Sequence, residues 1–202
     1  MKQLALAMVV ALSVSACGQM APGSSVIGAR GAAVVSAKAS NDAAFIEAAG
    51  KGQLDKVREL LAAGAKIDAR NGNGYTGLSL AAWRGHAAVV EFLLDSGANP
   101  NLANEDNKAP LHWASIDKNR AGIVTALLAK GAKVDGRDKQ GFTALMVAAM
   151  NNRVDTVEAL IAGGADVNAK SNNGTTALKL AKGGFPLPRF ELVRILEKDG
   201  AR

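Results

Sequence analysis

Aromatic side chains are scarce in this 202-residue chain: one Tyr, two Trp and five Phe, 4% in all. A sandwich of β-sheets built around large rings is therefore a poor fit, whereas 22 Gly and many Ala suit helices that approach closely. Cysteine is limited to Cys17, which excludes an internal disulfide. Histidine is limited to His86 and His112, and without Cys or a patterned carboxylate partner two imidazoles make a poor metal site. No run of five or more like charges occurs, and 24 Lys+Arg against 18 Asp+Glu give a formal charge of +6. That surplus is modest and scattered, so it carries no nucleic-acid footprint. Only one apolar run is long enough to consider for a membrane, which excludes a polytopic membrane protein. Charged residues at 21% and hydrophobic ones at 49% exclude wholesale disorder. Gly-x-Ser-x-Gly, His-Glu-x-x-His and Cys/His pairs are all missing, so the sequence nominates no catalytic residue, no metal ligand and no cofactor.

What is present begins with a leader. Residues 1–16, MKQLALAMVVALSVSA, place Lys2 before an apolar stretch from Leu4 to Val14 and end in small residues. This is the layout of a secretory signal, too short for a permanent span. Val14-Ser15-Ala16-Cys17 resembles the bacterial lipobox, with Val in place of the usual Leu. The resemblance implies a diacylglyceryl thioether on Cys17, an acylated amine and a periplasm-facing protein held in the cell envelope of a bacterium. At ~0.8 kcal/mol per buried methylene, two or more chains anchor stably. Gly18 follows where Asp would favour retention, and the resemblance to lipoproteins of enteric-type bacteria then implies the outer membrane rather than the inner. Residues 17–40 read as the lipidated Cys and a flexible tether, with an r.m.s. reach of roughly 25 Å.

From Asn41 to Arg202 the sequence repeats itself. Leu78, Leu111, Leu145 and Leu178 recur at spacings of 33, 34 and 33, and Phe45 lies 33 before Leu78. Gly64-Ala65, Gly97-Ala98, Gly131-Ala132 and Gly164-Ala165 recur in phase. Five units follow, at about 41–70, 71–103, 104–137, 138–170 and 171–202. In the second, Ala81-Ala82 allow a first helix to pack tightly, and Val89, Val90, Leu93 and Leu94 form one face of a second helix. Gly85 separates the two helices, and Gly97 ends the second where a positive φ is needed. The third unit has an extra residue near Lys118–Asn119, and the fifth has an insertion, GGFPLPR, at 183–189. Residues 42–63 suit an N-terminal cap, and the charged Phe190–Lys198 stretch a C-terminal one.

These elements resemble the ankyrin repeat. Asp138-x-x-Gly141-x-Thr143-Ala144-Leu145, Ala148-Ala149, Val157, Leu160-Ile161 and Gly164-Ala165-Asp166-Val167-Asn168 follow the family pattern, and Ala109-Pro110-Leu111-His112 comes nearest its Thr-Pro-Leu-His. The resemblance implies an all-α solenoid of about five helix-turn-helix repeats with short β-turn fingers, since no single helix pair can bury its own apolar face. It also implies structural duties for His86 and His112, as bonds to turn backbone.

Gly72-x-Gly74-x-x-Gly77 matches a dinucleotide fingerprint, but that mechanism needs a preceding strand and a βαβ unit. The stretch aligns instead with the repeat at Asp138–Leu145. Ankyrin proteins bind through fingertips and the inner-helix face. The matching positions here are Asn73, Tyr75, Trp83 and Arg84 in the second unit. In the third they are Asp106, Lys108, Ile116 and Asp117, and in the fourth Gln140, Phe142, Met150 and Asn151. Tyr, Trp, Met and Arg there are types enriched at interface centres. Trp113 is read as core.

The function expected is a non-enzymatic, monomeric binding module that docks a protein partner on its concave face, with the lipid as its only membrane contact. The resemblance also implies a narrower version, an immunity or inhibitor protein, or an accessory factor, for a co-encoded exported enzyme such as a phospholipase-type toxin or a peroxide-defence enzyme. An enzyme or cofactor carrier using the histidines or the glycine-rich turn, and a purely structural envelope protein, are the competing classes.

Overall fold

The computed structural model describes residues 41–183 and 189–202. The signal, Cys17, the tether and the Pro186-Leu187-Pro188 stretch lie outside the described residues. Among the described residues the chain is helical, without strands, and one isolated bridge joins Arg70 and Thr76 across the first finger.

The helices alternate between two rows. The inner row holds α1 (residues 41–50), α3 (Gly77–Arg84), α5 (Pro110–Ala114), α7 (Ala144–Met150) and α9 (Ala177–Lys182). The outer row holds α2 (Leu54–Ala62), α4 (Ala87–Asp95), α6 (Ala121–Ala129), α8 (Val154–Ala162) and α10 (Phe190–Lys198). From α3 onward each inner helix packs on the next inner helix, and the outer helices stack likewise from α2 to α10. Gly77 lets α3 sit against Phe45 and Ala49 of α1; a Cβ there would meet the Phe45 ring at 3.0 Å. One interior runs through the whole stack. Leu78, Leu111 and Leu145 are 1% exposed, and Val57, Val90, Val124 and Val157 are fully enclosed between the rows. Fully buried Ala81, Ala82, Ala114, Ala148, Ala149 and Ala181 set the close spacing.

Local chemistry starts and stops the helices. Thr76, Thr143 and Thr176 are extended N-caps whose hydroxyls accept from the amides of Ser79, Met146 and Lys179. The third repeat has Ala109 in that place and cannot do the same. Pro110 opens α5 instead, and the His112 imidazole accepts the Ala109 N–H through Nδ1 at 3.2 Å. Gly85 closes α3 in the left-handed region at φ 79°, and Asn119 and Asn152 occupy the corresponding turns at φ 58° and 57°. The extra residue of the third repeat shortens its inner helix: α5 has five residues, against eight in α3 and seven in α7. Residues 115–120 bridge to α6 as a turn and bends.

Two ladders of hydrogen bonds tie successive repeats. At the finger bases Asp68, Asn101, Asp135 and Asn168 each accept a backbone N–H from the next repeat, at Asn99, Lys133, Asp166 and Arg202, and within the first repeat Asp42 of α1 accepts in the same way from Lys66. At the start of each later outer helix a side chain reaches back to the inner helix of the repeat before, at its carboxyl end or just past it. His86 Nε2 lies 3.1 Å from the Gly50 carbonyl, Arg120 donates to Arg84, Arg153 to Ile116 and Arg189 to Ala149. Each such bond is worth about 1 kcal/mol net.

Candidate protein-binding surface

The inner helices and fingers build a face in two joined parts. The first is an aromatic stack. Tyr75 comes from the finger before α3, Trp83 from the end of α3 and Trp113 from α5. Tyr75 stacks on Trp83 at 6.2 Å between ring centroids, and Trp113 leans on both at 5.1 and 5.2 Å. Such offset and tilted contacts are the favourable arrangements for rings. Trp113 is 7% exposed and donates its indole N–H to the Lys108 carbonyl at 3.2 Å. It is buried, as its sequence reading requires, yet it fills the centre of the surface stack and is not part of the core that joins the two rows. The outer ring, Trp83, stays 38% exposed. Cations flank the stack: the Lys108 ammonium lies 5.5 Å from the Trp113 ring centre and the Arg84 guanidinium 5.9 Å from that of Trp83.

The second part is an open groove of about 320 Å³ beside the stack. Lys108 belongs to both parts. Ile116, Phe142, Val147 and Met150 give the groove its apolar wall, and Gln140 and Asn151 add amides. The groove lies beside the residue that follows the early end of α5, so Ile116, in the bend region, forms wall where a longer helix would continue. Met150, at the edge of the groove, is 44% exposed and presents its flexible thioether to solvent.

Two polar residues hold the floor. Asp138 is almost fully buried, and its Oδ1 accepts the N–H groups of Gln140 and Phe142, which fixes the finger. His112 accepts from Ala109 through Nδ1 and donates from Nε2 to the Phe142 carbonyl at 3.1 Å, tying α5 to the next finger. Burial pushes the His112 pKa below its ordinary value, and the Lys108 charge adds to that; the Phe142 bond and the Asp138 carboxylate oppose it. This geometry requires the neutral imidazole with its proton on Nε2.

The residues singled out in the sequence are thus distributed. Tyr75, Trp83, Arg84 and Lys108 surround the stack, and Lys108, Ile116, Gln140, Phe142, Met150 and Asn151 line the groove. Three stand outside both parts. Asn73 lies exposed at a fingertip, its N–H bonded to Asn71. Asp106 is exposed at the next fingertip, where its carbonyl accepts from Lys139. Asp117 sits 3.6 Å from Arg120 in the α5–α6 connection. Trp113, His112, Asp138 and Val147 join the surface without having been nominated for it. Leu80, Trp113 and Val147 share one register of the repeat, and that register rims the open face. The three spaced glycines follow no strand. Gly72 and Gly74 are in the fingertip, and Gly77 serves the α1–α3 contact. His86 and His112 each engage a backbone carbonyl.

The family model described as "Ankyrin repeats (3 copies)" matches residues 45–138 and again 111–202. Curated relatives match shorter stretches. Human "Ankyrin repeat domain-containing protein 63" is 34% identical over 96 residues, 46% of this chain and 25% of that protein. "Protein lin-12" of Caenorhabditis elegans is 30% identical over 100 residues, 48% of this chain and 7% of its own length. The bovine "Mitochondrial disaggregase" is 42% identical over 66 residues, 33% of this chain and 10% of that protein. The chain therefore spans a quarter or less of these relatives, all of them eukaryotic.

Proposed function

This chain belongs to the ankyrin-repeat family, which serves protein–protein interaction, and we propose that it is a non-enzymatic module holding one polypeptide partner on the face formed by its inner helices and fingers. A single observation carries this reading: the aromatic stack and the apolar groove adjoin through Lys108, so three consecutive repeats present one continuous surface. Rigid rings and a thioether bury large area at low entropic cost, which is what an interface centre needs. Lys108 and Arg84 orient the partner, and Asp106 and Asp117 act at the rim.

The same proposal places the module in a bacterial envelope, on the strength of the leader and Cys17. The protein is acylated there, faces the periplasm and acts as a monomer, most simply from the outer membrane. Labelled palmitate should enter the wild-type chain and not Cys17→Ser.

Photo-crosslinking tests the docking face. A benzoylphenylalanine at position 83 or 150 is expected to trap a discrete partner in cells, and one at position 91 of α4 is not. Adducts at position 91 alone would move the binding site to the outer row.

A further inference from the structure

The surface carries a charge pattern that narrows what can sit on it. Among the described residues no carboxylate lies within ion-pair distance of Lys108 or Arg84, and both cations are poised against aromatic rings. Lys108 is half-buried along its stem, and its ammonium has no counter-charge within ion-pair distance among the described residues. Asp138 is the one carboxylate in the groove lining; it is 7% exposed and turned into its own finger by two N–H bonds. Asp117 is engaged with Arg120. Glu105 and Asp106 are the remaining acids nearby, and both are exposed at the fingertip rather than part of the stack or the groove. The stack and its two flanking cations are thus a positive, ring-lined shelf. The groove beside it is apolar and, at about 320 Å³, takes one or two large side chains.

We propose that the occupant is a polypeptide segment in which a bulky apolar residue (Phe, Leu or Met) lies next to Asp or Glu. The apolar side chain enters the groove against Ile116, Phe142 and Met150. The adjacent carboxylate pairs with the Lys108 ammonium, which stands at the junction of groove and stack, and a further acid reaches Arg84. The pairing restores a counter-charge to Lys108 at a site sheltered by Trp113, where it is worth more than on an open surface. The inference rests on the proposed docking face and adds the chemistry of its partner.

A phage-displayed library of random dodecamers, panned against the folded chain, tests it whatever the identity of the partner. The peptides selected are expected to share an apolar residue flanked by Asp or Glu. Synthetic copies labelled with fluorescein then report affinity by polarisation. Lys108→Glu is expected to weaken them about tenfold or more, Lys108→Arg to preserve binding, and Glu→Gln in the peptide to match the loss. Met150→Glu, at an exposed position, is expected to abolish binding while the circular dichroism spectrum is unchanged. Selected peptides that lack acids, or that bind Lys108→Glu as well as wild type but are lost with Met150→Glu, would overturn the acidic-partner inference and leave the docking face standing. Peptides indifferent to Lys108, Trp83 and Met150 alike would overturn both. A library that yields no binder overturns the inference, because the groove would then not recognise a short segment.

Discussion

The third repeat and its two neighbours share an interior but differ at the surface. Leu78, Leu111 and Leu145 are equally buried, and the valines of the outer row form one unbroken column. Yet α3 and α7 start on a threonine cap and run eight and seven residues, whereas α5 starts on Ala109-Pro110 and stops after five. Both parts of the docking face depend on the exception. Trp113 of α5 is the ring that makes the two shorter contacts of the stack, and the groove opens beside Ile116, just past the end of α5. In an array whose stability comes from neighbours, one unit can abandon local regularity and spend it on a surface.

The widest break in that comparison would come from the interior. Leu111→Ala and Leu145→Ala are each expected to lower unfolding free energy by about 3 kcal/mol in urea titrations. Losses that differ by more than about 1 kcal/mol would show that the irregularity of the third repeat reaches the core. Next in size are the turns between rows. Gly85→Ala should cost about 2 kcal/mol, because it combines left-handed backbone with a displaced guanidinium; its Cβ would fall 1.7 Å from Arg120 Nη1. Asn119→Ala, at the corresponding turn of the third repeat, should cost about 1 kcal/mol, since only the backbone preference of Asn is lost there.

The caps give a smaller contrast, read by thermal unfolding. Thr143→Ala is expected to cost about 1 kcal/mol. Ala109→Thr should gain no more than about 0.5 kcal/mol, because the His112 N–H that a new hydroxyl would accept already bonds the Ala109 carbonyl at 3.0 Å.

The finest contrast is with acid. His112 has its folded-state pKa below the ordinary value of 6.5, so the unfolded chain binds the proton first as pH falls. The stability it contributes is complete above that ordinary value and is lost as pH drops from there toward the folded-state pKa. Denaturation measured from about pH 7.5 down to about pH 5.5 should show this slope in the wild type and a shallower one in His112→Gln.

Much of this was legible in the sequence. Leucines spaced by 33 and 34 and Gly-Ala pairs in phase are enough to specify paired helices in rows, because only stacking buries such faces. The extra residue near Asn119 was visible as well, but not its effect, since a one-residue excess can bulge a loop or shorten a helix with equal ease. Trp113 shows the other limit. Its place two residues after Leu111 reads as inward, and it is buried, but by rings from the adjoining repeat and not by the core. Periodicity tells how far a side chain points from water and says little about which neighbour covers it. The charge pattern around Lys108 depends on contacts between repeats and has no linear signature.

The row of back-reaching side chains has a polarity. In every case the donor belongs to the later repeat and the carbonyl to the earlier one: His86 to Gly50, Arg120 to Arg84, Arg153 to Ile116, Arg189 to Ala149. Trimming the array from its carboxyl end uncovers a carbonyl that water readily satisfies. Trimming from the amino end removes the acceptor across the repeat boundary, although Arg120 keeps Asp117 at 3.6 Å and Arg189 keeps the Leu180 carbonyl at 3.2 Å. With respect to these contacts the solenoid has a direction: each later repeat brings the donor, and each earlier one presents the carbonyl that receives it.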